Sequence, residues 1–259
     1  MNMLKTYLKR CIFCLALCFA VSSHAHNPPY LIISEIESGR LTFENEQIAA
    51  EYAAASKRLR IRRLEAMPWT KKIYVFIKAG FEHIIPDGID HILFVLGLFF
   101  SSLKLRPLLI QVTAFTLAHS ITLILAGLGL VKVQGSFVEP FIALSIVWIA
   151  VENTLFKKTT RWRSLVVFMF GLLHGLGFAN LLSQYGLPKN NFISLLFAFN
   201  VGVEFGQLFV LLVAFIVAKT LFKNSWESGK IRVPASILIG CAGLYWLSLI
   251  HISEPTRPR

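Results

Sequence analysis

The sequence predicts an all-α protein, a polytopic membrane helix bundle of about six transmembrane helices behind a cleaved signal peptide. Three observations carry this. The 259 residues are 55% hydrophobic and only 15% charged, with a mean hydropathy of +0.63, whereas soluble domains run at about 45–50% apolar and about 25% charged. The apolar residues form runs close to the roughly 20 that an α-helix needs to span a bilayer. The excess of basic residues that gives a net charge of +12 falls in short clusters between those runs, where it sets orientation in a membrane. No basic stripe interleaved with aromatics occurs elsewhere, so the partner implied is the lipid bilayer and not nucleic acid.

In chain order, residues 1–25 read as a signal peptide. Lys5, Lys9 and Arg10 precede an apolar core from Cys11 to Val21, and Ser23 and Ala25 supply the small residues of a cleavage site after Ala25. A core of that length is too short to span. Cleavage removes Cys11, Cys14 and Cys18 and leaves only Cys241, so neither a disulfide nor a thiolate metal cluster is expected. Residues 26–80 form an extracytoplasmic segment, largely helical. The stretch Thr42 to Leu64 is rich in the helix formers Ala, Glu, Lys and Arg, and Trp69 with Lys71 and Lys72 makes an interfacial anchor before KKIYVFIKAGFEH.

The transmembrane bundle occupies residues 81–246. Its spans are expected at Pro86 to Leu103, Leu108 to Val131, Pro140 to Phe156, Ser164 to Leu182, Ile193 to Thr220 and Val233 to Trp246. Signal cleavage places the mature N-terminus outside. The loops then on the inner side hold Lys104 and Arg106; Lys157, Lys158, Arg161 and Arg163; and Lys219, Lys223, Lys230 and Arg232. The outer loops hold only Lys132 and Lys189, as the positive-inside rule requires. Residues 247–259 contain LSLIHISEPTR, which resembles the translation of a sequencing-library adapter. This tail is expected to be an artefact, and His251 enters no site.

Ionisable side chains within these spans are costly, about 2.5–3.5 kcal/mol each at the centre of a helix, and mark function. His83, Asp87, Asp90 and His91 stand at i, i+4, i+7 and i+8, one face of a helix with Pro86 in its first turn and carboxylates at the positive end of its dipole. Further along come His119 in FTLAHSITL, Glu152 and Asn153, His174 and Asn180 in GLLHGLGFAN, and Asn200, Glu204 and Gln207 at i, i+4 and i+7. The pairs Gly171/Gly175 and Gly202/Gly206 read as close helix packing. Thr116, Ser120 and Ser145 read as hydroxyls bonded back to their own helices.

Imidazole nitrogen with carboxylate oxygen suits nickel, cobalt, zinc, iron or manganese, while copper(I) would favour sulfur. A divalent transition metal is therefore expected at His83, Asp87, Asp90, His91, His119, His174 and Glu204, with Glu152, Asn153, Asn180, Asn200 and Gln207 along a possible pathway. On the assigned topology these groups descend from the outer face (His83 to His91) through the middle (His119, His174, Asn200, Glu204) to Glu152 at the inner face. That arrangement reads as a path.

HIIPDGIDHILFVLGL, FTLAHSITL, the ALSI and EN pieces between Ala143 and Asn153, GLLHGLGFA and FNVGVEFGQ together resemble, in order, the HupE/UreJ family of bacterial membrane proteins, and its second branch most. The resemblance covers about Phe81 to Phe222. It implies residence in the cytoplasmic membrane and, since relatives are associated with nickel supply, a metal permease with His83, Asp90 and His91 in its opening motif. Six residues separate His83 from Asp90 where nickel permeases of the family have five, and no Glu follows His174. Two other readings stand beside the permease. One is an intramembrane metal-dependent enzyme with Glu204 or Asp90 as base on a metal-bound water, although H-E-x-x-H is absent. The other is a metal-related sensing or assembly protein.

Overall fold

The computed structural model describes residues 46–102, 104–131, 133, 135–156, 162–185, 191–222 and 231–253. The expected signal peptide and the segment up to residue 45 lie outside them. The described residues form eight helices and no strand: α1 (Glu46–Ala66), α2 (Trp69–Ile84), α3 (Ile89–Ser101), α4 (Leu105–Gly127), α5 (Gly135–Leu155), α6 (Arg163–Tyr185), α7 (Phe192–Phe222) and α8 (Arg232–Ser253). By length and composition α4, α5, α7 and α8 can each cross a bilayer. The bent pair α2 and α3 passes the same test only when taken together, as a broken span or a re-entrant loop, and α6 adds a shorter apolar stretch, Arg163–Phe178. The multi-pass bundle follows, with an outer surface to match. Leu109, Leu117, Phe141, Trp148, Phe197, Phe205 and Leu212 are all exposed, as side chains facing lipid should be.

The helix α1 covers most of the expected surface helix and is largely exposed, as its Ala, Glu, Lys and Arg composition requires. Pro68, extended at φ −57° and ψ 147°, separates it from α2. At the other end, α8 continues through Leu247 to Ser253. Helix α7 is 31 residues long, about 45 Å at 1.5 Å per residue, so it must tilt or reach beyond a hydrocarbon core of about 30 Å.

The opening motif differs from its expected form. His83 to His91 do not share one continuous helix: His83 lies in the last turn of α2, Asp87 in the break, and Asp90 and His91 in the first turn of α3, with the two axes bent by 70°. Pro86 causes the break. It has no N–H for the α2 ladder, and its ring forces Ile85 out of the helical region, to φ −132° and ψ 112°. Gly88 then passes so close to the His83 carbonyl that a Cβ would collide with it. Helix α2 is also more than a surface anchor, because Phe76, Gly80 and Ile84 are buried.

Glycines set the helix pairs. A side chain at Gly80 would strike the Phe199 carbonyl, and one at Gly202 the Ile77 carbonyl, so α2 and α7 meet backbone to backbone. Gly171 and Gly175 seat α6 against Phe115, Ala118, His119 and Thr122 of α4 in the same way, and Gly240 and Gly243 seat α8 against α5. In lipid, such close approach replaces the hydrophobic drive that water would supply. The core between the helices holds Ile84, Phe94, Leu98, Phe99, Phe115 and Ile146.

Candidate metal centre

Four histidines from four helices meet inside the bundle. His83 reaches in from the end of α2, His91 from the start of α3, His119 from α4 and His174 from α6. The His91 ring lies 4.8 Å from His83, 5.8 Å from His119 and 5.0 Å from His174, centroid to centroid. One ring nitrogen from each of His83, His91 and His119 falls within a span of 4.8 Å. His91, His119 and His174 are 2%, 0% and 1% exposed. The sequence expectation of a ladder from outer to inner face is thus corrected, because the bend at Pro86 brings the opening motif to the level of His119 and His174.

The hydrogen bonds fix which nitrogen faces inward. His174 Nδ1 lies 2.8 Å from the Phe170 carbonyl, which can only accept, so Nδ1 carries the hydrogen. His91 Nδ1 lies 2.9 Å from Asp90 Oδ1. His119 Nδ1 lies 3.3 Å from Asn200 Oδ1, and Asn200 is held with its oxygen toward the ring because its Nδ2 donates to the Leu196 carbonyl at 2.8 Å. Each of these rings therefore turns a lone pair on Nε2 away from its oxygen partner. The Nε2 atoms of His83, His91, His119 and His174 are all buried, and none has a hydrogen-bond partner.

Four buried, unpaired imidazole nitrogens are a standing cost unless something accepts their lone pairs. A borderline transition metal does, and oxygen-bonded Nδ1–H groups are how ligand histidines are normally oriented. The donor set fits such an ion. Zinc–imidazole distances of about 2.0–2.1 Å place tetrahedral ligand atoms about 3.4 Å apart, so closure requires the rings to draw in by about an ångström. Around the rings, Phe94, Phe115, Phe178 and Phe199 form an apolar wall. Phe115 sits 4.9 Å from His174, and Phe178 sits 4.2 Å from His83 and stacks on Phe199 at 5.0 Å. Nothing in the local pattern singles out these four among the 22 phenylalanines.

The other candidate residues take different places. Asp90 and Asn200 sit against the Nδ1 side of His91 and His119, opposite Nε2. Asp87 stands partly exposed in the break. Glu204 Oε1 accepts from Thr113 Oγ1 at 2.7 Å, and Gln207 Oε1 lies 3.0 Å from Thr116 Oγ1, both on the α4–α7 seam. Asn180 belongs to α6, with its side chain outside the description.

Glu152 and Asn153 sit apart from the centre. Arg163, only 3% exposed, pairs with Glu152 at 3.3 Å and donates to Asn153 Oδ1 at 3.1 Å, while Asn153 Nδ2 donates to the Gly97 carbonyl at 2.8 Å. This polar staple joins α3, α5 and α6. Arg163 thus belongs to the helix and not to the basic loop before it, and its place at the very start of an apolar run is the signal for that. Thr116, Ser120 and Ser145 do bond back to the carbonyls of Val112, Thr116 and Ile142.

Fold and centre together define a class: polytopic membrane proteins with an intramembrane cluster of histidines. The particular family follows from the chain as a whole, since the family model described as HupE / UreJ protein matches residues 58–250. The chain belongs to the HupE/UreJ family. No curated protein and no solved structure matches it.

Proposed function

We propose that the protein is a membrane permease for a divalent transition metal, nickel first and cobalt, zinc, iron or manganese as alternatives, whose central binding station is the cluster His83, His91, His119 and His174. The observation that carries this reading is the convergence of one ring nitrogen from each of His83, His91 and His119 within 4.8 Å, with His174 beside His91 at 5.0 Å and the Nε2 atoms of all four buried without partners. Three rings are held in the tautomer that offers Nε2, so binding needs little reorientation there. His83, which ends α2 beside the break, is less buried than the others and lies on the side of Asp87, the partly exposed carboxylate that an arriving cation meets first. Asp90 supplies negative charge directly behind His91, which lowers the cost of holding a dication in a low-dielectric interior. The protein resides in the bacterial cytoplasmic membrane, with residues 1–25 removed as a signal peptide, the mature N-terminus outside and the histidine station near the middle of the bundle.

A second reading draws on one specific feature. The near-complete burial of His91, His119 and His174 also suits a resident metal in an intramembrane enzyme. The two readings differ in exchange. Uptake of nickel, cobalt, zinc and manganese into proteoliposomes, wild type beside His91→Ala and His119→Ala, with bound metal assayed on the same samples, separates them. Saturable uptake of one metal, abolished by both substitutions, is the expected outcome. Near-stoichiometric, non-exchanging metal with no flux would overturn the permease.

A further inference from the structure

A second polar group lies on the α4–α7 seam, away from the histidines. Glu204 and Gln207, three residues apart on α7, present neighbouring side chains on one face. Thr113 and Thr116, equally spaced on α4, meet them. Thr113 stands six residues before His119, about 9 Å along α4 at 1.5 Å per residue. Gln207 is 1% exposed and Thr116 7% exposed. Glu204 Oε1 is used by Thr113, and Glu204 Oε2 is buried with no hydrogen-bond partner.

Counting protons at Thr116 sharpens this. Its single hydroxyl hydrogen faces two acceptors, the Val112 carbonyl at 3.2 Å and Gln207 Oε1 at 3.0 Å, while Gln207 Nε2 is buried and unpaired. Exchanging the amide's oxygen and nitrogen, which are interchangeable in shape, removes the conflict. Gln207 Nε2 then donates to Thr116 Oγ1, and Thr116 donates to Val112. The consequence is that the Gln207 oxygen becomes the unpaired atom. One seam then carries two buried oxygens, Glu204 Oε2 and Gln207 Oε1, with no donor between them.

We infer that Glu204 and Gln207 form a second cation station, built from oxygen donors and selective for harder divalent ions than the histidine centre. Carboxylate and amide oxygens suit ions such as manganese, whereas imidazole suits nickel, cobalt and zinc. This deepens the permease reading and rests on it for its role: a cation released from the histidines meets a weaker oxygen site further along α4 and α7, so it is not trapped at the tighter one. The station itself is testable whether or not transport occurs.

The test uses the full chain in lipid nanodiscs, with Mn²⁺ followed by electron paramagnetic resonance and Co²⁺ by its visible spectrum. Glu204→Gln is expected to weaken Mn²⁺ binding by about tenfold or more and leave the Co²⁺ spectrum of the histidine centre unchanged. Gln207→Glu is expected to tighten Mn²⁺ by about tenfold, since ligand charge sets affinity at oxygen sites; a purely structural glutamine would give no such gain. The variant His91→Ala/His119→Ala is expected to lose the Co²⁺ spectrum and retain bound Mn²⁺. Mn²⁺ binding that neither Glu204→Gln nor Gln207→Glu alters would overturn the station. So would an infrared band of a protonated carboxyl that Glu204→Gln removes, with no Mn²⁺ bound at any concentration. Absence of a Co²⁺ spectrum in the wild type would overturn the histidine centre alone.

Discussion

At the scale of the residue, the centre is determined by what stands behind each imidazole. The Phe170 carbonyl, Asp90 and Asn200 take the Nδ1 side of His174, His91 and His119, and the ligand lone pairs follow. Asn200→Leu removes the acceptor behind His119 and is expected to weaken metal binding by about 10- to 100-fold, the usual loss when such a partner is removed. Asn200→Asp, which keeps an acceptor oxygen, is expected to retain most of the affinity, and a Co²⁺ titration of the two variants checks the pair. The residue types were legible in the sequence, since histidine and carboxylate in apolar runs announce themselves by their cost. Their division of labour was not. Asp90 and Asn200 look like ligand and pathway residue in a linear reading, and only the bond directions place both behind the rings.

At the scale of the element, two devices hold the bundle, and each carries a prediction. The first is close glycine contact. Gly202→Leu would drive a side chain into the Ile77 carbonyl, which cannot yield without parting α2 from α7 and carrying His83 away. Thermal unfolding in detergent should show a clear loss of stability, and Co²⁺ affinity should fall with it. The second is the staple of Arg163, Glu152 and Asn153. Arg163→Ala removes the cation paired with the nearly buried Glu152 and is expected to lower stability measurably, whereas replacing Arg163 by Met and Glu152 by Leu together should recover most of that stability. Denaturation in mixed detergent measures both. Helix positions were legible because long apolar runs between basic clusters can do little else. The break at Pro86 was harder to see: His83, Asp87, Asp90 and His91 have flawless helical spacing, and a proline is also welcome in a helix's first turn. Here Pro86 ends α2 and holds Ile85 extended, and spacing alone does not tell a proline that breaks a helix from one that opens it.

At the scale of the whole molecule, the bend turns a chain of polar residues into one centre inside a bundle whose outer face is apolar. The family and the membrane-spanning character were readable from five ordered motifs and from composition. That His83 and His91 meet His119 and His174 at a single level was not, because it depends on a 70° change of direction that composition does not encode. Placed in lipid, the bundle should keep its metal only as long as several rings act together, so loss of one ring should weaken binding and loss of two should abolish it. The most direct measurement is X-ray absorption of the cobalt- or zinc-loaded protein, with metal content determined on the same sample. The account predicts one metal at the histidine centre with a shell of imidazole nitrogens at about 2.0–2.1 Å, reduced in nitrogen number by His174→Ala and lost in His91→Ala/His119→Ala. A shell dominated by oxygen, or metal content unchanged in that double variant, would contradict it.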